Sequence, residues 1–215
     1  SGKRDKEAGS GKKEISNSRS IDLVISHHPM GSAYASLHEV MDLQAEIFAK
    51  YGVPINIAEG VMHDRIKEVE REISPRNHFQ AVDAAKLLNM PLMCAHTACD
   101  NLVFDYLEKL YTKNHCDTVG DVMDQLLQEP EYKIAQERKE GPLIFCGDEH
   151  NRCGRVVTAL ITGGTEGAEA IYEKMAMAGV GTIIAMHASE DHVKKCNKYH
   201  NNKLVAGNIP SDTMR

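Results

Sequence analysis

The chain reads as an α/β fold, a largely parallel mixed sheet flanked by helices, on three observations. Its last third alternates apolar runs of strand length with amphipathic runs of helical period, a spacing that calls for parallel strands joined by right-handed crossovers. Its apolar runs repeatedly stop at His, Asp, Thr or Gly, at the edge where an open α/β sheet keeps its ligands. Its 215 residues, 42% hydrophobic and 26% charged, suffice for one large or two small domains with a proper core.

Ser1 to Ser20 carries Lys3, Arg4, Lys6, Lys12, Lys13 and Arg19 against Asp5, Glu7 and Glu14. It shows no apolar periodicity and is expected to be a flexible basic leader, residues 1–20. An α/β domain follows over 21–215, divisible into halves 21–140 and 141–215. Leu23, Val24 and Ile25 read as a buried strand. Pro29 cannot donate to a ladder, so the strand stops before it and leaves His27 and His28 at its mouth. Ser36-Leu37-His38-Glu39 has the spacing of a capping box, opening a helix with Leu37, Val40, Met41, Ile47 and Phe48 on one face. Gly52 ends that helix, and Val53 to Ala58 is expected as a short strand.

The next helix carries Val61, Ile66, Val69 and Ile73 inward and Lys67, Glu68, Arg71 and Glu72 outward. Ala81 to Leu88 reads as a short helix leading into the apolar run Pro91 to Ala95, which stops at His96. A helix from Asp100 presents Leu102, Val103, Tyr106, Leu107 and Leu110, and another spans Val119 to Leu127 under a Thr118 cap. The polar segment Gln128 to Gly141 reads as a surface helix or a connector and is the candidate boundary between the halves. Strands at Arg155 to Ile161, Val180 to Met186 and Lys203 to Ala206 then alternate with helices at Glu166 to Met177 and Asp191 to Tyr199.

Composition excludes several classes. A net charge of −6 argues against general nucleic-acid binding, which needs a basic surface. No apolar run reaches membrane-spanning length and no signal-peptide core is present, so a cytoplasmic protein is expected. The six cysteines form no CxxC pair and read as reduced thiols. Cys146 to Cys153 lacks the ligand spacing of a structural zinc site.

Eleven histidines are the more informative count. Adjacent side chains on a strand point to opposite faces, so His27 and His28 are either a core residue beside a solvated one or holders of one ion each of a pair. The scheme places His27 and His28, His96 and Asp100, Thr162 and Gly163, His187 and Glu190, and Asn208 and Asp212 beyond successive strand ends. Groups distant in sequence then converge on one cleft, where His with carboxylate suits zinc, manganese, iron or cobalt. Gly163-Gly164-Thr165-Glu166-Gly167 reads either as an anion-binding helix opening or as a tight strand-to-helix turn. His38, His63, His78, His115, His192 and His200 read as surface or helix-face residues.

Three blocks, Asp22 to Pro29, Ala95-His96-Thr97-Ala98-Cys99-Asp100 and Ala206 to Asp212, resemble the signature blocks of the Nif-three-like family, whose members are often called type 2 GTP cyclohydrolase I. The likeness runs from about Ile21 to the end. It implies a dinuclear site of two divalent ions, zinc, manganese or iron, with ligands at His27, His28, Asp100 and Asp212. The family's last histidine falls on Asn208, whose amide is a much weaker ligand for such ions. His187 and Glu190 take proton-handling roles at the cleft, or else Ser189 caps a helix and His187 supports a ligand. His96 is expected to orient a ligand or substrate.

The resemblance further implies a homo-oligomer and a metal-dependent hydrolase acting on a nucleotide, such as GTP, or a similar small molecule. The alternative is a non-catalytic metal-binding interaction or regulatory protein.

Overall fold

The computed structural model describes residues 21–207, so the leader and the ligand positions Asn208 and Asp212 lie outside the described residues. Two sheets carry the architecture. β1 (Val24–Ser26) and β2 (Leu92–Cys94) form a parallel pair in the register Val24 to Leu92 and Ser26 to Cys94. The second sheet holds β3 (Leu143–Cys146), β4 (Arg155–Leu160), β5 (Val180–Ala185) and β6 (Asn202–Val205) in the order β3-β6-β5-β4. β4, β5 and β6 run parallel and β3 is antiparallel to β6, so the sheet is mixed and mostly parallel.

Around the sheets pack α1 (Ser32–Ala35), a 3-10 turn at Leu37–Met41, α2 (Asp42–Lys50), α3 (Ile55–Ile73) and α4 (Gln80–Leu87). Further along come α5 (Thr97–Lys113), α6 (Val119–Leu126), α7 (Pro130–Glu137), α8 (Ile171–Met177) and α9 (Glu190–Lys198). None of the helices among the described residues is long and apolar enough to cross a membrane.

Alternation along β5 explains why the large sheet is covered on both faces. Ile183 belongs to a core with Phe48, Met62, Val157, Ile171 and Met175. Its neighbour Ile184 belongs to a second core with Val103, Leu107, Val122, Leu126 and Leu204. A parallel strand flanked by crossover helices has to be apolar on both sides, and Ile183-Ile184 meets that demand. Both cores draw side chains from either side of residue 140.

Several expectations give way to identifiable physics. Val53 to Ala58 is not a strand: α3 starts at Ile55, directly after Pro54, and buries Ala58, Met62, Val69 and Ile73 at helical spacing. The capping box at Ser36 does not form, because Ser36 Oγ donates to the Ser32 carbonyl at 3.0 Å and a 3-10 turn separates α1 from α2. Leu23, Val24 and Ile25 are not buried. Ile25 is 61% exposed, since β1 has only β2 beside it among the described residues. β3 is an addition, an apolar run Leu143 to Cys146 between Gly141 and Gly147. The helix expected from Glu166 begins only at Ile171, leaving Gly163 to Gly167 as an irregular loop.

The cap at Thr118 does form. Asp121 N–H donates to Thr118 Oγ1 at 3.2 Å while Asp121 Oδ2 accepts the N–H groups of Thr118 and Asp117 at 2.8 and 3.0 Å. Thr118→Ala removes one half of this reciprocal pair and is expected to lower stability by about 1 kcal/mol, read as a shift of the urea midpoint at unchanged slope.

Candidate metal centre

Parallel pairing gathers the polar residues at one rim. His27 and His28 follow β1, His96 follows β2, the loop from Ile161 to Gly167 follows β4, and His187 follows β5. All of them line one cavity of about 360 Å³, together with Asp100, Gln44 and Tyr34. Because the histidine pair sits just past the strand rather than on it, both rings reach this cavity, with centroids 5.3 Å apart.

Asp100 lies in the first turn of α5, where its backbone N–H donates to the His96 carbonyl at 3.0 Å and the helix dipole favours a carboxylate. Its side chain is 4% exposed and presents one oxygen to each of two imidazoles. Asp100 Oδ1 is 3.4 Å from His27 Nε2 and Oδ2 is 3.6 Å from His96 Nδ1. The His27 and His96 rings lie 4.7 Å apart between centroids.

The tautomer of His27 follows from its other nitrogen. Nδ1 is 3.0 Å from the Ala95 carbonyl, which can only accept, so Nδ1 carries a proton. Nε2 then faces a carboxylate oxygen, and the gap between these two atoms is suited to a positive charge, either a proton or a metal ion. A carbonyl that fixes the far side of a ligating imidazole is the usual support for such a ring.

His27, His96 and Asp100 each offer one ligand atom, and these atoms all lie within 4.8 Å of one another, so the group could hold a metal ion. Two nitrogens and one carboxylate oxygen form a donor set suited to zinc, manganese or iron. It is the single His, Cys, Asp and Glu group of this kind among the described residues, and Cys146 and Cys153 are not part of it. All six cysteines are free thiols.

His28 stands beside the group, its ring centroid 5.8 Å from that of His96. His187 is exposed at the cavity wall, where desolvation by the neighbouring groups lowers its pKa and Glu166 opposes. Glu190 opens α9 as an exposed residue and is not among the cavity-lining side chains. Asn208 and Asp212 lie outside the described residues.

The loop after β4 forms the opposite wall. Gln44, buried in α2, donates from Nε2 to the carbonyls of Gly163 and Thr165 at 2.8 and 2.7 Å, which fixes both its amide orientation and the loop. Gly163 has φ +97°, and a Cβ there would meet Gln44 Cγ at 2.5 Å, so the clamp requires glycine. Glu166 emerges from this loop into the cavity. Burial pushes its carboxyl up, but the Ser189 N–H and the His192 ring outweigh this and hold it below the usual carboxylate range.

Two polar residues depart from the sequence reading: His192, expected on a surface or helix face, is buried, and Glu166, expected to open a helix, lies in the loop after β4. Their signal was position: Glu166 lies in the loop after β4, on the same rim as the histidines. The helical period of α9 sets His192 four residues before the buried Cys196, on the same inward face.

Comparison with known proteins gives one structural likeness. The chain is similar to the crystal structure of a NIF3 superfamily protein from Sphaerobacter thermophilus, at 23% identity and a TM-score of 0.77, over 89% of this chain and 71% of that one. No family model matches the chain. No curated protein matches it either. The likeness shows a shared fold.

Acid should destabilise this region in a defined window. Burial lowers the His192 pKa to about 4, with Glu166 opposing. Between the ordinary value near 6.5 and about 4 the unfolded chain takes up a proton that the folded chain refuses. The contribution of His192 is therefore complete above pH 6.5 and lost as pH falls toward 4, by about 3 kcal/mol for a shift of this size. Urea unfolding at stepped pH should show that slope, and His192→Gln should flatten it.

Proposed function

From a chain with the fold of a NIF3 superfamily protein and a His27, His96 and Asp100 group that could hold a cation, we propose a metal-dependent hydrolase acting on a nucleotide or similar small molecule. The observation that carries this reading is the shared carboxylate, with two imidazoles converging on Asp100 at the wall of an open cavity. The sequence blocks extend the proposal to two ions, with His28, Asp212 and Asn208 serving the second.

Ions held there would supply a water acidic enough to act as a nucleophile near neutral pH. The chain's own residues do the rest. The Ala95 carbonyl keeps His27 Nε2 turned toward Asp100, and α5 holds the Asp100 carboxylate. His187, an exposed residue at the cavity wall, can accept a proton there, and Glu190 is the second candidate for proton transfer at the rim. A cavity of about 360 Å³ suits a small-molecule substrate. The exposed apolar face of Leu23, Ile25 and Met93 supports assembly as a homo-oligomer.

The binding-only alternative is favoured by one residue. Asn208 stands where the resemblance calls for histidine, which weakens the second ion and with it any two-ion chemistry.

Metal analysis of protein purified without chelator tests both readings. Wild type is expected to carry zinc, manganese or iron, and His27→Ala/His28→Ala to lose affinity by at least about tenfold. Near-zero metal in both proteins overturns the two readings together. Turnover of GTP or other nucleotides with Mn²⁺ or Zn²⁺, lost in Asp100→Ala, is expected of a hydrolase; bound metal without turnover selects the binding protein. Asn208→His is expected to raise occupancy by a second ion.

A further inference from the structure

A cluster of nucleophilic side chains lies in the core beneath α8 and α9, and the chemistry above does not use it. Cys146 ends β3, the edge strand of the larger sheet, just past the point where the register between β3 and β6 slips. It pairs with Lys203 of β6, and directly opposed residues of an antiparallel pair share a face, with Cβ atoms about 5 Å apart. α9 covers that face. Cys146 Sγ lies 3.7 Å from the Val193 carbonyl oxygen, and Cys196 stands on the same helix three residues later. Helical side chains lean back over the preceding turn, so the Cys196 sulfur comes to rest within hydrogen-bond reach of Cys146.

Both thiols are buried, as is Lys203, whose Nζ donates to Tyr172 Oη. In the neutral pair each S–H meets a carbonyl, that of Val193 for Cys146 and that of Asn201, at 3.3 Å, for Cys196. When Cys146 loses its proton, the Cys196 S–H turns to the thiolate, and with Lys203 it outweighs burial to hold Cys146 below the usual thiol range. The same contact, together with burial, pushes Cys196 up. Burial lowers the Lys203 pKa, with Cys196, Glu166 and Cys146 opposing. A buried ammonium needs an anion beside it, and a thiolate directly across the ladder is one. The two sulfurs therefore differ in character, one a nucleophile and the other a thiol held in reserve.

We propose that Cys146 and Cys196 are a redox pair that closes a disulfide between β3 and α9 when the protein meets a hydroperoxide. The Cys146 thiolate attacks the outer peroxide oxygen, the O–O bond breaks, and water or an alcohol leaves with one proton, giving a sulfenic acid. The Cys196 sulfur then attacks the Cys146 sulfur and expels hydroxide, which takes the Cys196 proton and leaves as water. As an edge strand with an irregular register, β3 can fray locally and admit a water-sized oxidant.

Dilute hydrogen peroxide added to the full chain under native conditions, followed by alkylation and non-reducing peptide mass mapping, tests this without metal or turnover. A peptide joined through Cys146 and Cys196, lost on reduction with dithiothreitol, is expected ahead of any oxidation of the more exposed Cys94, Cys99 and Cys116. Oxidation in order of exposure, or Cys146 running on to sulfinic acid with Cys196 untouched, overturns the proposal. Cys196→Ser is expected to leave a Cys146 sulfenic acid that dimedone traps, and Cys146→Ser to leave Cys196 reduced. Dimedone on Cys196 in that second variant overturns the assignment of the nucleophile. Lys203→Met is expected to slow Cys146 oxidation about tenfold, and an unchanged rate overturns the role of the lysine. Should Lys203→Met not fold, mapping of the wild-type chain still decides, because the cross-link itself needs no variant.

Discussion

A carboxylate buried between two imidazoles is the constraint on which the rest of this structure depends. Asp100 is almost wholly withdrawn from water, with His27 on one oxygen and His96 on the other. A charge so placed needs compensation, by protonated rings or by a cation held among the three groups. The Ala95 carbonyl biases the choice by accepting a hydrogen bond from the Nδ1–H of His27 and leaving Nε2 to face Asp100. The same local chemistry therefore accounts for the histidine tautomer and for the fitness of the site for metal.

Topology makes that arrangement reachable. β1 and β2 are parallel, so the residues that leave their C-terminal ends, His27 and His96, emerge side by side despite their distance in sequence. β4 and β5 are also parallel and deliver the Glu166 loop and His187 to the same cavity. Helices on both faces of the larger sheet exclude water behind this rim, and the buried run from Lys203 through Tyr172 to His192 occupies the space between sheet and helices. Polar side chains in the core are tolerated there because each finds a partner in the next.

The sequence was most legible where a local pattern and the tertiary demand agreed. The Ile183-Ile184 strand, the amphipathic helix α3 and the Thr118 cap satisfy their local rules and their packing at once, whereas α5 buries Val103 and Leu107 but leaves Leu102 and Tyr106 of its expected apolar face exposed. It was least legible where the two conflict. Leu23 to Ile25 has the composition of a buried strand, but burial depends on what lies beside it, and β1 has a single neighbour among the described residues. Pro54 reads equally as a strand boundary or a helix start, and the inward spacing of Ala58 and Met62 decides for the helix. The strand-edge pattern brought His27, His28, His96, Asp100 and His187 to one cleft before any coordinates. It did not foresee His96 beside Asp100 as a ligand candidate, because that depends on side-chain geometry at the start of α5. The partners of His192 were hidden for a similar reason, since they come from a loop and from α8.

Anomalous X-ray diffraction from crystals grown with zinc tests the central claim most directly. The account expects a peak among His27 Nε2, His96 Nδ1 and the Asp100 carboxylate, at about 2 Å from each ligand atom. Zinc-grown crystals with these three side chains well ordered and no anomalous density between them would contradict it.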